Sequence, residues 1–121
     1  MAGQLTILVA EDDSGMRRAI GRLLQAAGLD SIEFASAEAL LESADVASVA
    51  CVVTDIHLPA MSGFELVDAL RQKHGTVPAV FITAFDKPEI RKRAAAYANA
   101  AYLIKPFDGS DLLDAIGSFV A

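Results

Sequence analysis

A single carboxylate, Asp55, lies in the middle of one of the most apolar stretches of the chain, CVVTDIHLP at residues 51–59. Removing a charge from water beside so much apolar surface is costly unless another group pairs with it. Asp55 is therefore either an incidental residue in a strand-end turn or a carboxylate that the fold keeps for its charge. The second reading requires partners elsewhere in the chain.

Three other apolar runs also end in polar side chains. The first ends in Glu11, Asp12 and Asp13, a later run ends in Thr83, and the last ends in Lys105. Clustered carboxylates repel one another, so they need a cation or they take up protons. Two counter-charges are available, Lys105 and a hard divalent metal. Because every candidate ligand is an oxygen, the pattern favours Mg²⁺ or Mn²⁺ over zinc.

A metal beside a lone carboxylate, a hydroxyl and an ammonium suits phosphoryl transfer to that carboxylate. In this scheme Asp55 attacks, the metal and Lys105 offset charge on the phosphoryl oxygens, and Thr83 donates a hydrogen bond. Each residue has a plainer reading as well. Thr83 is a normal strand residue, Lys105 could be a surface lysine, and the Glu11–Asp13 acids could be helix caps.

Alternating strands and helices must bring these residues together. The apolar runs predict strands at 5–10, 31–35, 49–54, 79–84 and 101–104. Helical spacing and end signals predict helices at 14–27, from Ser36 to about Ala44, from the Ser62–Glu65 capping box to about His74, at 87–98, and from Asp108 to the C-terminus. Gly28 and Asn99 suit the left-handed geometry that ends a helix. Five βα units with continuous apolar strands predict an α/β, doubly wound, five-stranded parallel sheet.

The ligand crevice of such a sheet lies beyond the carboxyl ends of its strands, where the strand order reverses. The order 2-1-3-4-5 makes strands one and three neighbours, and neighbouring strands lie about 4.8 Å apart. Asp55 should then sit within a few ångströms of Glu11 and Asp12. The sequence therefore predicts one site at this edge of the sheet.

Composition excludes several classes of protein. The 121 residues, 54% of them hydrophobic, predict a single globular domain spanning 1–121. No apolar run approaches the roughly 20 residues that cross a bilayer, and the N-terminus lacks a secretory signal. The single cysteine, Cys51, lies in an apolar run and is expected to be buried and inert. We therefore expect a cytoplasmic protein without membrane contacts.

The net charge of −6 argues against direct nucleic-acid binding. A local basic cluster formed by Lys87, Arg91, Lys92 and Arg93 is interpreted as a solvated helix face rather than a patch for an anion or a partner.

Four segments, LVAEDD, VVTDIHLPAMSGFEL, FITAF and YLIKPF, carry a resemblance to a known family. In their order and spacing they resemble the bacterial response-regulator receiver domain of the CheY-like superfamily. Within it they are most similar to the receivers of FixJ-type transcription factors. The resemblance covers essentially the whole chain. It implies a flavodoxin-like (βα)5 fold.

The resemblance also implies a metal site. Asp55 would be the phosphoacceptor and a metal ligand, Asp12 a direct Mg²⁺ ligand, Glu11 its partner through water, and the backbone carbonyl of His57 a further ligand. The family usually has two aspartates after its first strand. Glu11 is therefore a variant expected to change the metal affinity slightly.

The resemblance further implies a switch. Thr83 would follow the phosphoryl group, Lys105 would be the family's lysine, Tyr102 would be the switch aromatic, and Lys105-Pro106 would be a cis peptide bond. A histidine kinase would donate to Asp55, shifting a two-state equilibrium at a face of helix four, strand five and helix five. Candidate partners at that face are a second copy of the chain or a histidine phosphotransfer protein.

His57 and Phe85 occupy positions at which the family tunes dephosphorylation. A bulky Phe85 is expected to hinder the attacking water and to give a long-lived phosphoryl group.

Other functions compete with this one. An aspartate-nucleophile phosphatase of haloacid-dehalogenase type would carry an acid where this chain has His57. A flavodoxin would carry a Ser/Thr/Gly-rich loop after strand one. A receiver-like module that needs no phosphorylation would not require the intact set of acids, Thr83 and Lys105. The chain ends with its last helix, which is expected of a single-domain regulator or of the receiver half of a transcription factor. The stretches FASAEALL and MSGFEL favour the latter.

Overall fold

Five strands and five helices alternate along the chain in a computed structural model that describes residues 6–43 and 49–119. The strands are β1 (Thr6–Ala10), β2 (Asp30–Phe34), β3 (Val49–Asp55), β4 (Ala79–Thr83) and β5 (Ala100–Ile104). The helices are α1 (Ser14–Ala26), α2 (Ala37–Glu42), α3 (Gly63–His74), α4 (Pro88–Ala95) and α5 (Gly109–Gly117). The predicted alternation of strands and helices is confirmed.

All five strands are parallel and follow the order β2-β1-β3-β4-β5, as predicted. The register sets Ala10 opposite Thr54, so Glu11, the residue after β1, lies beside Asp55, the last residue of β3. On the other flank of β3, Asp55 is opposite Ile82. The strand order and the register together bring the predicted site residues to one edge of the sheet.

Strands β1, β3 and β4 are buried along nearly their whole length, because helices pack on both faces of the sheet. One face packs against α2, α3 and α4 through Leu40, Phe64 and Ala94. The other packs against α1 and α5 through Ile20 and Leu112. This double cover explains the continuous apolar runs in the sequence.

Local signals set most helix ends where the sequence predicts them. Asp13 and Ser36 accept hydrogen bonds from the first turns of α1 and α2. Ser62 and Glu65 form the predicted capping box of α3. Left-handed backbone occurs at Gly28, with φ of 78°, and at Asn99, with φ of 52°.

Other boundaries differ from the prediction. Helix α4 covers 88–95 rather than 87–98, since the Tyr97 amide bonds Ala94 in a tighter turn and the Tyr97 ring packs on Phe64. Strand β4 ends at Thr83 rather than 84, because the Thr83 hydroxyl closes a turn with the amide of Phe85.

Smaller shifts affect the remaining elements. The second strand covers 30–34 rather than 31–35, and the fifth begins at Ala100 rather than 101. The third strand ends at Asp55 rather than 54, and α1 ends at Ala26 rather than 27. Helix α5 ends at Gly117 instead of reaching the C-terminus, and α2 ends at Glu42. The predicted limits at residue 5 and Ala44 lie outside the described residues. Within the described ranges, none of the helices has the length and apolarity to cross a membrane.

Candidate functional site

Asp55 is the last residue of β3 and keeps only 7% of its surface exposed. Its two carboxylate oxygens have different partners. The backbone N–H of His57 donates to Oδ1 (2.8 Å), and Lys105 Nζ donates to Oδ2 (2.6 Å). The carboxylate is therefore held in one orientation by an amide and an ammonium.

Two further carboxylates adjoin Asp55 at the end of β1. Glu11 is 1% exposed, and its side chain accepts from Lys105 Nζ (2.8 Å) and from the backbone N–H of Asp13 (3.1 Å). Asp12 is exposed to solvent. One oxygen from each of Glu11, Asp12 and Asp55 lies within 4.8 Å of the others, so the expected convergence of these acids is observed.

Lys105 and Glu11 both have shifted pKa values. Burial raises the pKa of Glu11, and the hydrogen bond from Lys105 only partly opposes this. For Lys105, burial alone would lower the pKa. The hydrogen bonds to Asp55 and Glu11 outweigh burial, so the pKa of Lys105 lies above its usual value and the side chain is firmly charged at neutral pH.

The donor set of this cluster fits a hard divalent cation. All three side chains offer oxygen, the ligand type that Mg²⁺ and Mn²⁺ prefer. The exposed Asp12 opens the cluster to solvent, which leaves room for the waters that Mg²⁺ retains. Three carboxylates beside one ammonium also leave a net negative charge for a cation to offset.

Thr83 and Tyr102 lie on β4 and β5 and are not part of the acidic cluster. Thr83 is fully buried at the end of β4, and its hydroxyl oxygen accepts from the Phe85 amide (2.9 Å). Among the described residues, no hydrogen bond joins Thr83 to Asp55. Tyr102 is half-buried, and its hydroxyl donates to Asp86 (2.9 Å). The structure thus brings Glu11, Asp12, Asp55 and Lys105 together, whereas Thr83 and Tyr102 contact residues of the loop after β4.

The loops around Asp55 are tightly constrained. The Gly63 amide donates to the carbonyl of Ile56 (3.0 Å), so the start of α3 lies directly against the end of β3. His57 and Phe85 meet edge to face, with their ring centroids 5.2 Å apart. The Lys105-Pro106 peptide bond is cis, as expected from the family resemblance.

Two contacts of this region escaped the sequence analysis. The Arg17 guanidinium reaches back from α1 to the carbonyl of Glu11 (2.9 Å), and Asp86 binds the Tyr102 hydroxyl. Neither follows from a motif, because each depends on how a loop turns. In the sequence, only the position of Asp86 three residues after Thr83 indicates that it could contact the site.

The basic cluster is more structured than the predicted solvated face. Lys87, Arg91, Lys92 and Arg93 are all exposed, as expected. Arg91 nevertheless forms an ion pair with Asp86, and the guanidinium of Arg93 lies 4.4 Å from the centroid of the Phe64 ring. Arg91 and Arg93 therefore form contacts within the domain and are not only solvated.

The (βα)5 sheet with an acidic cluster at its carboxyl edge defines a class of signalling domain, and comparison with known proteins identifies it. Residues 7–117 match the response regulator receiver domain family. The chain belongs to this family, whose members serve as receivers in two-component response regulators and are typically phosphorylated.

Individual relatives agree with this assignment. Nodulation protein W of Bradyrhizobium diazoefficiens is 34% identical over 110 residues, which make up 91% of this chain and 48% of that protein. FixJ of Azorhizobium caulinodans is 28% identical over 116 residues, 96% of this chain and 55% of that protein. The chain thus spans about half the length of these relatives. The solved structure of the Vibrio cholerae chemotaxis protein CheY4 superposes with a TM-score of 0.87 at 26% identity and covers 97% of this chain and 99% of that one.

Proposed function

We propose that Asp55 accepts a phosphoryl group from a histidine kinase and that the chain acts as a phosphorylation-dependent switch rather than as a turnover enzyme. The observation that supports this most is the setting of the Asp55 carboxylate. It is nearly buried, fixed by the His57 amide and Lys105, and adjacent to two further acids. That combination suits a nucleophile whose attack on phosphorus needs positioning and charge compensation.

In the proposed step, one Asp55 carboxylate oxygen attacks phosphorus and a new O–P bond forms. The P–N bond of the kinase phosphohistidine breaks, and the imidazole leaves with its electron pair. Lys105, already within 2.6 Å of Asp55, stays in place to offset charge on the incoming oxygens. Thr83 donates a hydrogen bond to the phosphoryl group after its hydroxyl leaves the Phe85 amide.

The proposed metal ligands are Asp12, Asp55, the backbone carbonyl of His57, and Glu11 through water. When bound, Mg²⁺ offsets the negative charge of the phosphoryl oxygens, and Mn²⁺ is an acceptable substitute. These side chains would hold the cation, while Lys105 stays paired with Glu11 and Asp55 and offsets part of their negative charge.

The proposed output is a change at the face formed by α4, β5 and α5, where Tyr102 turns inward as Thr83 moves. This face would contact a second copy of the chain or a histidine phosphotransfer protein. We place the switch in the cytoplasm, with residues 1–121 forming one receiver domain that does not itself bind nucleic acid.

The first test is phosphorylation by acetyl phosphate, followed by intact mass. Wild type should gain one phosphoryl group, about 80 in mass, only when Mg²⁺ is present, because both the acceptor and the charge compensation are then complete. Asp55→Asn should gain none, while Asp68→Asn on α3 should behave as wild type. Wild type that stays unmodified while folded by circular dichroism would overturn the proposal in favour of a module that needs no phosphorylation.

Metal binding has its own test, without a phosphoryl donor. Because a ligand that binds only the folded state stabilises it by mass action, Mg²⁺ should raise the thermal midpoint of wild type. Asp12→Asn should lose most of this increase. Asp13→Asn is the matched control, since asparagine still caps α1 and Asp13 lies outside the three-acid cluster. Equal responses in both variants would remove Asp12 from the ligand set.

A further inference from the structure

One carboxylate joins three segments beside the site. Asp86, in the loop between β4 and α4, accepts at Oδ1 from the Tyr102 hydroxyl (2.9 Å) and from Arg91 Nε (3.2 Å). Its Oδ2 accepts from Arg91 Nη2. The carboxylate thus connects its own loop to β5 through Tyr102 and to α4 through Arg91.

The same loop contains the turn that occupies the Thr83 hydroxyl. Phe85 donates its amide to Thr83 Oγ1, and Asp86 follows Phe85 directly. A Thr83 hydroxyl that turns toward a phosphoryl group on Asp55 leaves this amide, so we expect residues 84–86 to shift with it. Such a shift would disturb the contacts of Asp86 with Tyr102 and Arg91.

We propose that Asp86 is a positioning residue, whose carboxylate holds Tyr102 and the β4–α4 loop in the unphosphorylated arrangement. This inference rests on the proposed function. The contacts restrain only one of two conformations, so they bias the equilibrium between them. Because the side chains of Asp86 and Arg91 are 23% and 59% exposed, the bias is modest and the switch stays reversible.

The molecule offers a matched control for this carboxylate. Its two tyrosines each donate to an aspartate, Tyr102 to Asp86 and Tyr97 to Asp68 (2.8 Å). The Tyr97 pair joins the turn after α4 to α3 and does not involve the β4–α4 loop. A general loss of stability would follow from breaking either pair, whereas release of the loop would follow only from breaking the Asp86 pair.

The test compares initial rates of phosphorylation by acetyl phosphate with Mg²⁺. Asp86→Asn should raise the rate about two- to fivefold, the range expected when one partly exposed, charge-assisted hydrogen bond stops favouring the resting state. Asp68→Asn should leave the rate unchanged. Tyr102→Phe and the double variant complete a cycle, in which the effect of Asp86→Asn should shrink once the phenol is gone.

A titration shows whether the Asp86 carboxylate acts on the Tyr102 phenol. Burial and the Asp86 carboxylate raise the pKa of Tyr102. In a Tyr97→Phe background, only Tyr102 contributes phenolate absorbance, and Asp86→Asn should lower its pKa. An unchanged pKa would show that the Asp86 carboxylate does not act on the Tyr102 phenol in solution and would overturn the inference.

The kinetic outcomes separate the two proposals. Wild type that accepts no phosphoryl group contradicts the proposed function, and the inference falls with it. Wild type that is phosphorylated, with Asp86→Asn equal to or slower than Asp68→Asn, contradicts only the role of Asp86. Additive effects of Asp86→Asn and Tyr102→Phe would contradict it as well, because the two side chains would then act independently.

Discussion

At the scale of single residues, Lys105 explains how two buried acids coexist next to a third. Its ammonium lies 2.8 Å from Glu11 and 2.6 Å from Asp55, and both carboxylates are otherwise shielded from water. Leaving a buried charge without its partner is strongly unfavourable. The lysine therefore stabilises the site as well as serving the proposed chemistry, so the acceptor is better tested by Asp55→Asn than by removing Lys105.

Phe85 is the residue that we expect to lengthen the lifetime of the phosphoryl group. Phe85 is 58% exposed although it is large and apolar, and its ring contacts the His57 ring edge to face at the site. We expect this pair to hinder the water that hydrolyses the phosphoryl group. Phe85→Glu should speed dephosphorylation about two- to tenfold, a barrier change of about 0.4–1.4 kcal/mol.

The measurement is decay of the phosphorylated mass after the donor is removed. Ile32→Glu is the matched control, since Ile32 is a similarly exposed apolar residue, at 48%, on the far edge strand β2. Decay that is equally fast in wild type and Phe85→Glu would assign no shielding role to Phe85.

At the scale of elements, the close approach of α3 to the end of β3 depends on Gly63. A Cβ atom at this position would lie 2.4 Å from the backbone oxygen of Asp55. Since a backbone atom cannot rotate away, Gly63→Ala should shift either the helix or the acceptor residue. We expect a loss of about 1–3 kcal/mol in the free energy of unfolding, together with slower phosphorylation.

Urea unfolding of Gly63→Ala and Gly117→Ala would check this. Gly117 ends α5 with open space around its would-be Cβ, so alanine there should be neutral or stabilising by less than about 1 kcal/mol. Equal stabilities for the two variants would mean that α3 can move away from β3 at little cost.

The elements also show how far the sequence can be interpreted. Continuous apolar runs and caps such as Ser36 and the Ser62–Glu65 box predict every strand and helix, because local chemistry determines them. The approach of Glu11 to Asp55 follows from the strand order alone. The Asp86–Tyr102 bond could not be predicted, since it joins residues 16 positions apart through a loop whose path depends on the packed fold.

At the scale of the whole molecule, the site is anchored to the best-buried part of the core. Strand β3 is central in the sheet and nearly fully buried, and it carries both Asp55 and Cys51. Cys51 is completely buried, and burial raises its pKa to about 12. A thiol in this position reports on opening of the same strand that ends in the proposed acceptor.

Thiol labelling of Cys51 should therefore follow unfolding of the whole chain. At pH 8, labelling should be at least about a thousandfold slower than that of a free thiol, because few thiolates form and the reagent cannot enter. In increasing urea, the rate should rise in parallel with unfolding measured by circular dichroism. A Cys51→Ala, Ser118→Cys variant, with its thiol at an exposed site, should label quickly throughout.

This thiol also tests how the site and the core are coupled. If Mg²⁺ binds at Glu11, Asp12 and Asp55, it stabilises the folded state and must slow the opening that exposes Cys51. Mg²⁺ should then slow labelling of wild type and have little effect on Asp12→Asn. Labelling that is fast in the native state, or insensitive to Mg²⁺ while the thermal midpoint rises, would mean that β3 opens without disturbing the acidic cluster. The edge of the sheet and its centre would in that case be separate cooperative units.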